Sequence, residues 1–254
     1  MAHGSFVWYE LSTTNLDGAV DFYSRIVGWQ PKDAAMPGMD YRLFQMGEVP
    51  IAGVMHHPDA LLEAGVPPVW FGYVGVKDVD AAAKKAEALG GSIEQPPTDI
   101  PGIGRFAVIK DPHGAIISLF YSDSPPPESP FGQAPGRIGW NELYAGDLDG
   151  AWAFYSALFG WTKGEAMDMG DMGIYQLFEH EGNAIGGMMK KPDGVPQPAW
   201  LYYFNVPNLT AAMKALEAAG GKILSGPMEV PGGDHIAQAS DPQGGAFALV
   251  GKLG

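Results

Sequence analysis

The chain has 254 residues, a formal net charge of −14 and no cysteine. An acidic surface repels nucleic acids and anionic membranes, so neither is an expected partner, and disulfides, thiolate nucleophiles and cysteine metal ligands are excluded. No apolar run reaches the roughly 18 residues that cross a bilayer, and the N-terminus lacks the basic and apolar regions of a signal peptide. We therefore expect a soluble cytoplasmic protein.

The first predicted unit is a strand, a helix and three further strands. Phe6–Leu11 alternates in polarity and is rich in aromatic residues, as a half-buried strand is. Asn15 or Asp17 is the predicted cap of the following helix, and Gly28 its end. The three short strands are predicted at Trp29–Lys32, Tyr41–Met46 and Ile51–Met55.

The second predicted unit has the same order. Val69–Val76 is predicted as a strand and Asp78 as the cap of an alanine-rich helix over Val79–Leu89. The three strands that complete the unit are predicted near Ile93, at Arg105–Lys110 and at Ala115–Tyr121.

The whole pattern then occurs again. Trp8–Leu11 recurs as Trp140–Leu143, and helices are predicted near Leu148–Phe159 and Leu209–Ala219. A repeat this long indicates a duplicated domain, because solenoid repeats are about 20–50 residues long. We predict domains at 1–122 and 137–254, joined by a proline-rich linker at 123–136 that proline keeps extended.

The order of these motifs resembles the vicinal oxygen chelate superfamily, which includes glyoxalase I, extradiol dioxygenases and bleomycin-resistance proteins. The resemblance rests on the Phe-Tyr and Gly-Trp pairs after the first strand, the Asp-Val-Asp-Ala helix start and the closing Asp-Pro-x-Gly. It implies an α+β fold of two tandem domains, each built of two strand–helix–three-strand units curled around a cavity. It also implies that the two domains pair within one chain, so we expect a monomer or a weak homodimer.

The family's enzymes hold a divalent metal with His, Gln or Glu on the first strand of each unit and a Glu on the last strand. Imidazole and carboxylate are the side chains that such a site needs. The resemblance places these ligands where this sequence has Trp8, Phe71, Ser118, Trp140, Leu201 and Ala248. We therefore predict no metal and no other cofactor.

The histidines do not replace the missing ligands. His57 and His113 correspond to Lys191 and Gln243 of the second half, which argues against a shared ligand role. His3 and His180 are expected at the surface. His235, next to Asp234, is the clearest polar difference between the halves and a candidate for ligand contact, although adjacent strand residues point to opposite faces.

Strand alternation places a carboxylate beside each first-strand tryptophan. Trp8 and Glu10 share one face of the strand, as do Trp140, Glu142 and Tyr144. A partly desolvated carboxylate is a candidate general acid or base, so Glu10 and Glu142 are the predicted catalytic residues. The alternative is that both are structural, because a scaffold residue recurs in both halves of a duplicated protein.

Further residues are predicted to line the cavities. The first domain's wall has bulky side chains suited to aromatic stacking, and the second has smaller ones. The predicted ligand-contacting residues besides the two tryptophans, Tyr144 and His235 are Phe71, Tyr73, Phe120, Leu201 and Tyr203.

Two functions remain open. The first is a metal-independent lyase, dehydratase, cyclase or isomerase that uses Glu10 or Glu142 on a carbonyl or phenolic small molecule. The second is a module that sequesters an aromatic antibiotic or metabolite without chemistry, as the resemblance to bleomycin-resistance proteins implies. A metal-dependent glyoxalase or dioxygenase is disfavoured by the missing ligands.

Overall fold

The structure is a computed structural model and describes residues 2–34, 39–63, 65–124 and 128–254. Its secondary structure follows one order four times: a strand, a helix and three strands. In the first half the elements are β1 (Phe6–Thr13), α1 (Leu16–Val27), β2 (Gln30–Asp33), β3 (Tyr41–Met46), β4 (Val49–His56), α2 (Asp59–Glu63), β5 (Val69–Gly75), α3 (Val79–Ala88), β6 (Ser92–Ile100), β7 (Gly104–Lys110) and β8 (Ile116–Tyr121).

The second half repeats the order, with a short 3-10 turn at Gly170–Met172 between its second and third strands. Its elements are β9 (Ile138–Ala145), α4 (Leu148–Phe159), β10 (Thr162–Asp168), β11 (Ile174–His180), β12 (Asn183–Lys190), β13 (Ala199–Asn205), α5 (Leu209–Ala218), β14 (Lys222–Glu229), β15 (His235–Ser240) and β16 (Ala246–Gly251). The short helix α2 was not predicted from the sequence.

Each half forms one eight-stranded sheet. The strand orders are β2-β3-β4-β1-β5-β8-β7-β6 and β10-β11-β12-β9-β13-β16-β15-β14. In each unit the first strand pairs in parallel with the last, as β1 does with β4 and β5 with β8. The predicted α+β fold of two tandem domains, each made of two strand–helix–three-strand units, is confirmed.

The helices begin and end where short-range signals place them. Of the two candidates for the cap of α1, Asn15 is the cap: its side-chain Oδ1 accepts the backbone N–H of Gly18 at 3.0 Å, while Asp17 lies in the first turn. Gly28 ends the helix with φ 85°, a left-handed conformation that glycine adopts without strain. Asp78 caps α3 through the N–H of Ala81.

The chain divides into two compact units, and each takes one copy of the motif from each half. Unit 1 comprises Met1–Val7, Gly72–Pro126 and Trp140–Leu201, and therefore contains α3 and α4. Unit 2 comprises Trp8–Phe71, Pro127–Gly139 and Tyr202–Gly254, and contains α1 and α5. The sequence boundaries of the domains, 1–122 and 137–254, stay a prediction.

A buried tyrosine organises the core of unit 2. Trp70 Nε1 donates to the Tyr23 hydroxyl at 2.9 Å, and this hydroxyl donates to Asp241 Oδ2 at 3.0 Å. The other oxygen of Asp241 accepts the backbone N–H groups of Gln243 and Gly245. Through one side chain, helix α1, strand β5 and the turn before β16 are held together.

Unit 1 repeats this arrangement. Trp200 Nε1 donates to the Tyr155 hydroxyl at 3.2 Å, and this hydroxyl donates to Asp111 Oδ2 at 3.1 Å. Asp111 Oδ1 accepts the backbone N–H groups of the turn that follows it. The Phe-Tyr pair, the strand tryptophan and Asp-Pro-x-Gly thus recur in the sequence because they form one hydrogen-bonded core.

The described part of the proline-rich segment packs against unit 2. Pro130 is buried, Asn205 Nδ2 donates to the carbonyl oxygen of Gly132 at 2.7 Å, and Trp29 Nε1 donates to that of Gly136 at 2.7 Å. Residues 128–136 are therefore anchored by side chains that lie far away in sequence, where composition alone predicted an extended spacer. Residues 125–127 of the predicted linker lie outside the described residues.

The prediction that His3 and His180 lie at the surface is wrong. The side chain of His180 is only 13% exposed, and His3 is half-buried, with burial as the main cause of its lowered pKa. The reason lies in a neighbouring contact: Trp161 Nε1 donates to the Gly4 carbonyl at 2.7 Å and draws the residues before β1 into unit 1.

Among the residues that the structure describes, no helix is long and apolar enough to span a membrane.

The tyrosine at the core of unit 2 gives the first prediction. Tyr23→Phe deprives the buried Trp70 N–H and the Asp241 carboxylate of a partner, so the free energy of unfolding should fall by about 1–3 kcal/mol. Urea unfolding followed by circular dichroism measures it. Tyr121→Phe is the matched control, because that hydroxyl also donates to an aspartate, Asp123, but at the exposed surface. Equal urea midpoints for the two variants would contradict the role given to Tyr23.

Candidate functional site

The two faces of β1 differ in burial. Tyr9 and Leu11 have no exposed surface and belong to the core. Trp8 and Glu10, which alternate with them, lie half-buried on the opposite face. This is the face on which sequence alternation placed them.

Trp8 and Glu10 are joined through a tyrosine of β3. Trp8 Nε1 donates to the Tyr41 hydroxyl at 3.1 Å, and this hydroxyl donates to Glu10 Oε2 at 2.7 Å. Gly53 of β4 lies in register with Glu10. A Cβ atom on Gly53 would overlap the Tyr41 hydroxyl, so only glycine lets the phenol ring cross β4 and reach the carboxylate.

The second half builds the same chain of hydrogen bonds. Trp140 Nε1 donates to the Tyr175 hydroxyl at 2.8 Å, which donates to Glu142 Oε2 at 2.9 Å. Gly187 is in register with Glu142, and a Cβ atom there would overlap the Tyr175 ring. We call each set, Trp8–Tyr41–Glu10 and Trp140–Tyr175–Glu142, a Trp–Tyr–Glu relay.

Electrostatics fixes the direction of both relays. Burial first, and the adjacent carboxylate second, raise the pKa of Tyr41 and of Tyr175 well above its usual value. Both phenols therefore keep their protons. Because an indole N–H only donates and a carboxylate only accepts, each tyrosine hydroxyl accepts a hydrogen bond from the tryptophan and donates its own to the glutamate.

Ser12, the next residue on this face of β1, has a structural partner. Its hydroxyl lies 2.8 Å from His57 Nδ1, and His57 Nε2 lies 3.0 Å from the Val66 carbonyl oxygen. A carbonyl only accepts, so Nε2 carries the proton and Nδ1 accepts from Ser12. In the second half Lys191, the counterpart of His57, donates from Nζ to the Val195 carbonyl at 2.8 Å, so each side chain holds the loop that follows it in its own half.

Part of the predicted lining of the first half lies together on β5, β7 and β8. The Tyr73 ring centroid is 6.5 Å from that of Phe106 and 6.3 Å from that of Phe120. Ser118, in register with Tyr73, has no exposed surface, and its Oγ finds no hydrogen-bond partner among the described residues. The opposite face of these strands belongs to the buried core.

The corresponding face of the second half is more polar. Leu201 and Tyr203 are buried on β13. Gln238 of β15 donates from Nε2 to the Tyr203 hydroxyl at 3.2 Å, and it lies in register with Ala248. Sequence reasoning missed Gln238, although a comparison with its counterpart Val108 contains the signal.

Phe71, Tyr144 and His235 are the remaining predicted contact residues. Phe71 and Tyr144 lie half-buried on β5 and β9. His235 lies half-buried at the start of β15, with a buried Nδ1 that has no hydrogen-bond partner in the described part of the chain. Its neighbour Asp234 forms an ion pair with Lys252 at 3.0 Å, so the two do not act as a pair.

Sequence reasoning also missed Tyr41 and Tyr175, the central members of the relays. Each lies on a strand distant in sequence from its glutamate. The available signal was the repeat itself, since both tyrosines precede a glycine-containing strand at matching places in the two halves.

A surface groove of about 310 Å³ lies in unit 1. Trp152 of α4 forms one wall, and the Lys163 ammonium lies 5.3 Å from the centroid of its ring. None of the predicted site residues lines this groove, so it is not part of the candidate site.

The side chains at the family's metal positions do not fit a divalent metal. Trp8 and Trp140 donate their indole N–H groups, and the remaining four positions carry neither imidazole nor carboxylate. Across residues 2–34, 39–63, 65–124 and 128–254, no group of three or more His, Asp or Glu side chains is placed to hold a metal ion.

Comparison with known proteins agrees with the duplicated fold. The family model described as "Glyoxalase/Bleomycin resistance protein/Dioxygenase superfamily" matches residues 5–119 and again 137–249. The Mycobacterium bovis protein named "Putative glyoxylase CFP32" is 32% identical over 246 residues, covering 96% of this chain and 93% of its own. The Streptomyces sp. (strain C5) "Anthracycline biosynthesis protein DauV" is 28% identical over 262 residues, covering 98% and 94%.

Solved structures share the fold at low identity. The Mn(II)-bound glyoxalase from Novosphingobium aromaticivorans has a TM-score of 0.67 and 14% identity, covering 100% of this chain and 83% of its own. The trihydroxybiphenyl dioxygenase from Sphingomonas wittichii strain RW1 has a TM-score of 0.69 and 12% identity, covering 98% and 91%.

The relay tyrosines make stability depend on alkaline pH. A folded-state pKa above the unfolded value of about 10 stabilises the protein fully below that pH, and this contribution is lost as pH rises through the folded-state pKa. Each such tyrosine should add a slope of about 1.4 kcal/mol per pH unit to the fall in unfolding free energy above about pH 10. Tyr41→Phe and Tyr175→Phe should each remove the contribution of one tyrosine to this slope. Urea unfolding at several pH values measures the slope.

The test compares the slopes of unfolding free energy against pH, and not the free energies at a single pH. Either phenylalanine variant also loses hydrogen bonds to the tryptophan and the glutamate, and so starts less stable at neutral pH. An unchanged alkaline slope in both variants would show that the relay tyrosines ionise as freely in the folded protein as in the unfolded chain.

Proposed function

The chain belongs to the glyoxalase/bleomycin resistance protein/dioxygenase superfamily, and we propose that it is a metal-independent acid/base enzyme acting on an aromatic or carbonyl small molecule. Glu10 or Glu142 is the proposed catalytic group. The observation that carries the proposal is the Trp–Tyr–Glu relay, which fixes a carboxylate beside an indole ring in each half.

The relay suits a carboxylate that moves a proton. The tyrosine O–H holds one oxygen of the glutamate and so fixes the plane of the carboxylate. The glutamate takes a proton from a phenol, or from the carbon next to a carbonyl, and returns it to another atom of the bound molecule. Such a transfer serves an isomerase or cyclase, and with loss of a leaving group a lyase or dehydratase. Tyr41 and Tyr175 keep their own protons and are positioning residues.

The aromatic side chains supply the proposed binding surface. The indole N–H groups of Trp8 and Trp140 are engaged within the relays, so these rings contribute their faces for stacking. A mostly apolar wall with few polar groups is typical of a small-molecule site. The other proposed contact residues are Phe71, Tyr73, Phe120, Tyr144, Leu201, Tyr203 and His235.

We propose a reaction without a metal because the side chains at the expected ligand positions are not metal ligands. The six positions at which the resemblance places metal ligands carry indole, phenyl, hydroxyl or aliphatic groups, and each relay offers one carboxylate already bound by a phenol. A Mn(II)-bound glyoxalase shares the fold at 14% identity, a likeness that does not extend to its metal chemistry. The relative named for anthracycline biosynthesis, similar over almost the whole chain, supports a metabolite as the substrate.

A non-catalytic binding protein is the second candidate. The two halves build the same relay, and Glu142 is only 5% exposed, both of which also suit a scaffold role. In that case the protein sequesters its ligand unchanged, acting as a monomer or weak homodimer. Neither candidate needs a nucleic acid or a membrane, since the charge of −14 opposes both.

Conservative replacement of the glutamates separates the two candidates. Ligands are first identified by native mass spectrometry after screening, and Glu10→Gln and Glu142→Gln are then compared with the parent. The amide keeps the shape and removes the base, so one variant should lose about 10²–10⁴-fold in kcat. Binding, followed by tryptophan fluorescence, should survive.

The control is Glu87→Gln, a substitution of the same kind on the exposed surface of α3, which should leave both turnover and binding unchanged. Undiminished turnover in both relay variants would show that neither Glu10 nor Glu142 is a catalytic residue. A parent protein that binds its ligand and never converts it would establish sequestration instead.

Metal content is a separate prediction. The purified protein, dialysed and subjected to elemental analysis, should contain far less than one equivalent of zinc, iron, nickel or manganese per domain. A chelator should leave turnover unchanged, because no protein group of the site is a good ligand. About one equivalent per domain, or loss of turnover on chelation, would be incompatible with the proposed chemistry.

A further inference from the structure

The surface groove of about 310 Å³ in unit 1 is lined on one side by the start of helix α4. Asp147, Leu148, Asp149 and Trp152 form this side. Asp147 Oδ2 accepts the backbone N–H of Gly150 at 2.6 Å, so this carboxylate is engaged by its own helix. Asp149 is exposed and forms no ion pair with a described residue. The helix therefore offers the groove one indole ring and one carboxylate without an ionic partner.

The other side of the groove consists of residues from three neighbouring strands. Lys163 lies on β10, Ile174 and Gln176 on β11, and Lys190 on β12. Both lysines are exposed, and neither forms an ion pair with a described residue. Gln176 is only 7% exposed, and its Nε2 donates to the Gly164 carbonyl oxygen at 2.9 Å. This hydrogen bond fixes the backbone next to Lys163, where the pairing of β10 with β11 becomes irregular.

The first half differs at the matching place. Six groove residues, Asp149, Trp152, Lys163, Ile174, Gln176 and Lys190, correspond in turn to Asp17, Val20, Pro31, Asp40, Arg42 and His56. Arg42 forms ion pairs with Asp17 at 3.3 Å and with Asp40 at 3.0 Å, and His56 Nε2 lies 3.8 Å from Asp40. The charges of the first half are therefore paired with one another. In the second half the lysines keep their charges open beside an indole ring.

These groups favour a ligand that combines a ring with an anion. The Lys163 ammonium lies 5.3 Å from the centroid of the Trp152 ring, which places a positive charge next to an aromatic surface. Ile174 is 43% exposed and adds apolar surface. An aromatic ring packs on such a surface in offset or edge-to-face geometry, and a carboxylate is attracted by both ammonium groups. The volume lies at the lower end of the range for small-molecule pockets, roughly 300–1,000 Å³, so the ligand is compact.

We propose that this groove is a binding site for a compact aromatic carboxylate, whose ring packs against Trp152 and whose carboxylate lies near Lys163 and Lys190. Gln176 is a positioning residue, because it holds the backbone beside Lys163. Asp149 repels the anion and so limits the affinity. The inference does not rest on the proposed function, since no relay residue lines the groove.

The test compares naphthoate with its neutral amide, naphthamide, on the full isotope-labelled chain. Two-dimensional NMR follows the indole N–H signals, which are assigned by replacing each tryptophan with phenylalanine. Naphthoate should shift the Trp152 signal with a dissociation constant of about 1 mM or below. Naphthamide should bind about fivefold more weakly, because it has the same rings and lacks the charge.

Charge substitutions should act with opposite signs. Lys163→Gln and Lys190→Gln should each weaken naphthoate binding by about two- to fivefold, whereas Asp149→Asn should strengthen it by up to about twofold. None of the three should change the affinity for naphthamide. Lys222→Gln is the matched control, because Lys222 is an exposed lysine of β14 in unit 2, and it should leave both affinities unchanged.

The ring of Trp152 is tested by the residue that the first half has in its place. Trp152→Val removes the stacking surface and should weaken naphthoate binding by about three- to tenfold, measured from the signals of the ligand itself. Urea unfolding checks the fold of this variant. Should it be destabilised, Trp152→Leu keeps more of the side-chain volume, also lacks the ring and should give the same loss.

Several outcomes would overturn the inference. They are a Trp152 signal that naphthoate leaves in place, equal affinities for the two probes, and lysine variants that bind naphthoate as the parent does. A shift of the Trp8 or Trp140 signal alone would also overturn it, because binding would then involve a relay and not the groove. Turnover in the glutamate variants is measured separately, so failure of the catalytic proposal and failure of this inference are distinguishable.

Discussion

The fold depends on one buried contact made twice: a tyrosine hydroxyl held between a tryptophan N–H and an aspartate carboxylate. In unit 2, Tyr23 lies between Trp70 and Asp241 with no exposed surface. An aspartate buried in this way is stable only with its hydrogen bonds made, and the backbone N–H groups of the following turn supply the rest. Burial still raises the pKa of Asp241, because the buried carboxylate loses contact with water. The contact nevertheless fixes α1, β5 and the turn before β16 relative to one another.

The same combination of indole, phenol and carboxylate recurs on the opposite face with a different consequence. Around Tyr23 the carboxylate receives main-chain N–H groups and belongs to the core. In the relay of the first half, Glu10 accepts a hydrogen bond from the phenol of Tyr41 and lies half-buried on the face opposite the buried Tyr9 and Leu11. Position on the sheet, and not the type of residue, separates a structural carboxylate from a candidate for chemistry.

Local patterns were enough to predict the strands and the four long helices, and they limited the cap of α1 to Asn15 or Asp17, because alternation and capping act within a few residues of chain. The repeat then gave the domain organisation. The partners of Glu10 were not predictable in this way, since Tyr41 lies on another strand and reaches the carboxylate only over Gly53. The anchoring of residues 128–136 and the burial of His180 likewise arise from contacts distant in sequence.

The difference between the halves follows from where substitutions are tolerated. A change at Tyr23 or Tyr155 leaves buried polar groups without partners, which destabilises by about 1–3 kcal/mol, so a duplicated chain retains both. Surface substitutions away from hydrogen-bond networks usually alter stability by less than about 0.5 kcal/mol. The side chains on the face of each sheet opposite the core can therefore change while the core stays the same. Val108 opposite Ser118 in the first half, and Gln238 opposite Ala248 in the second, are such a change at one register position.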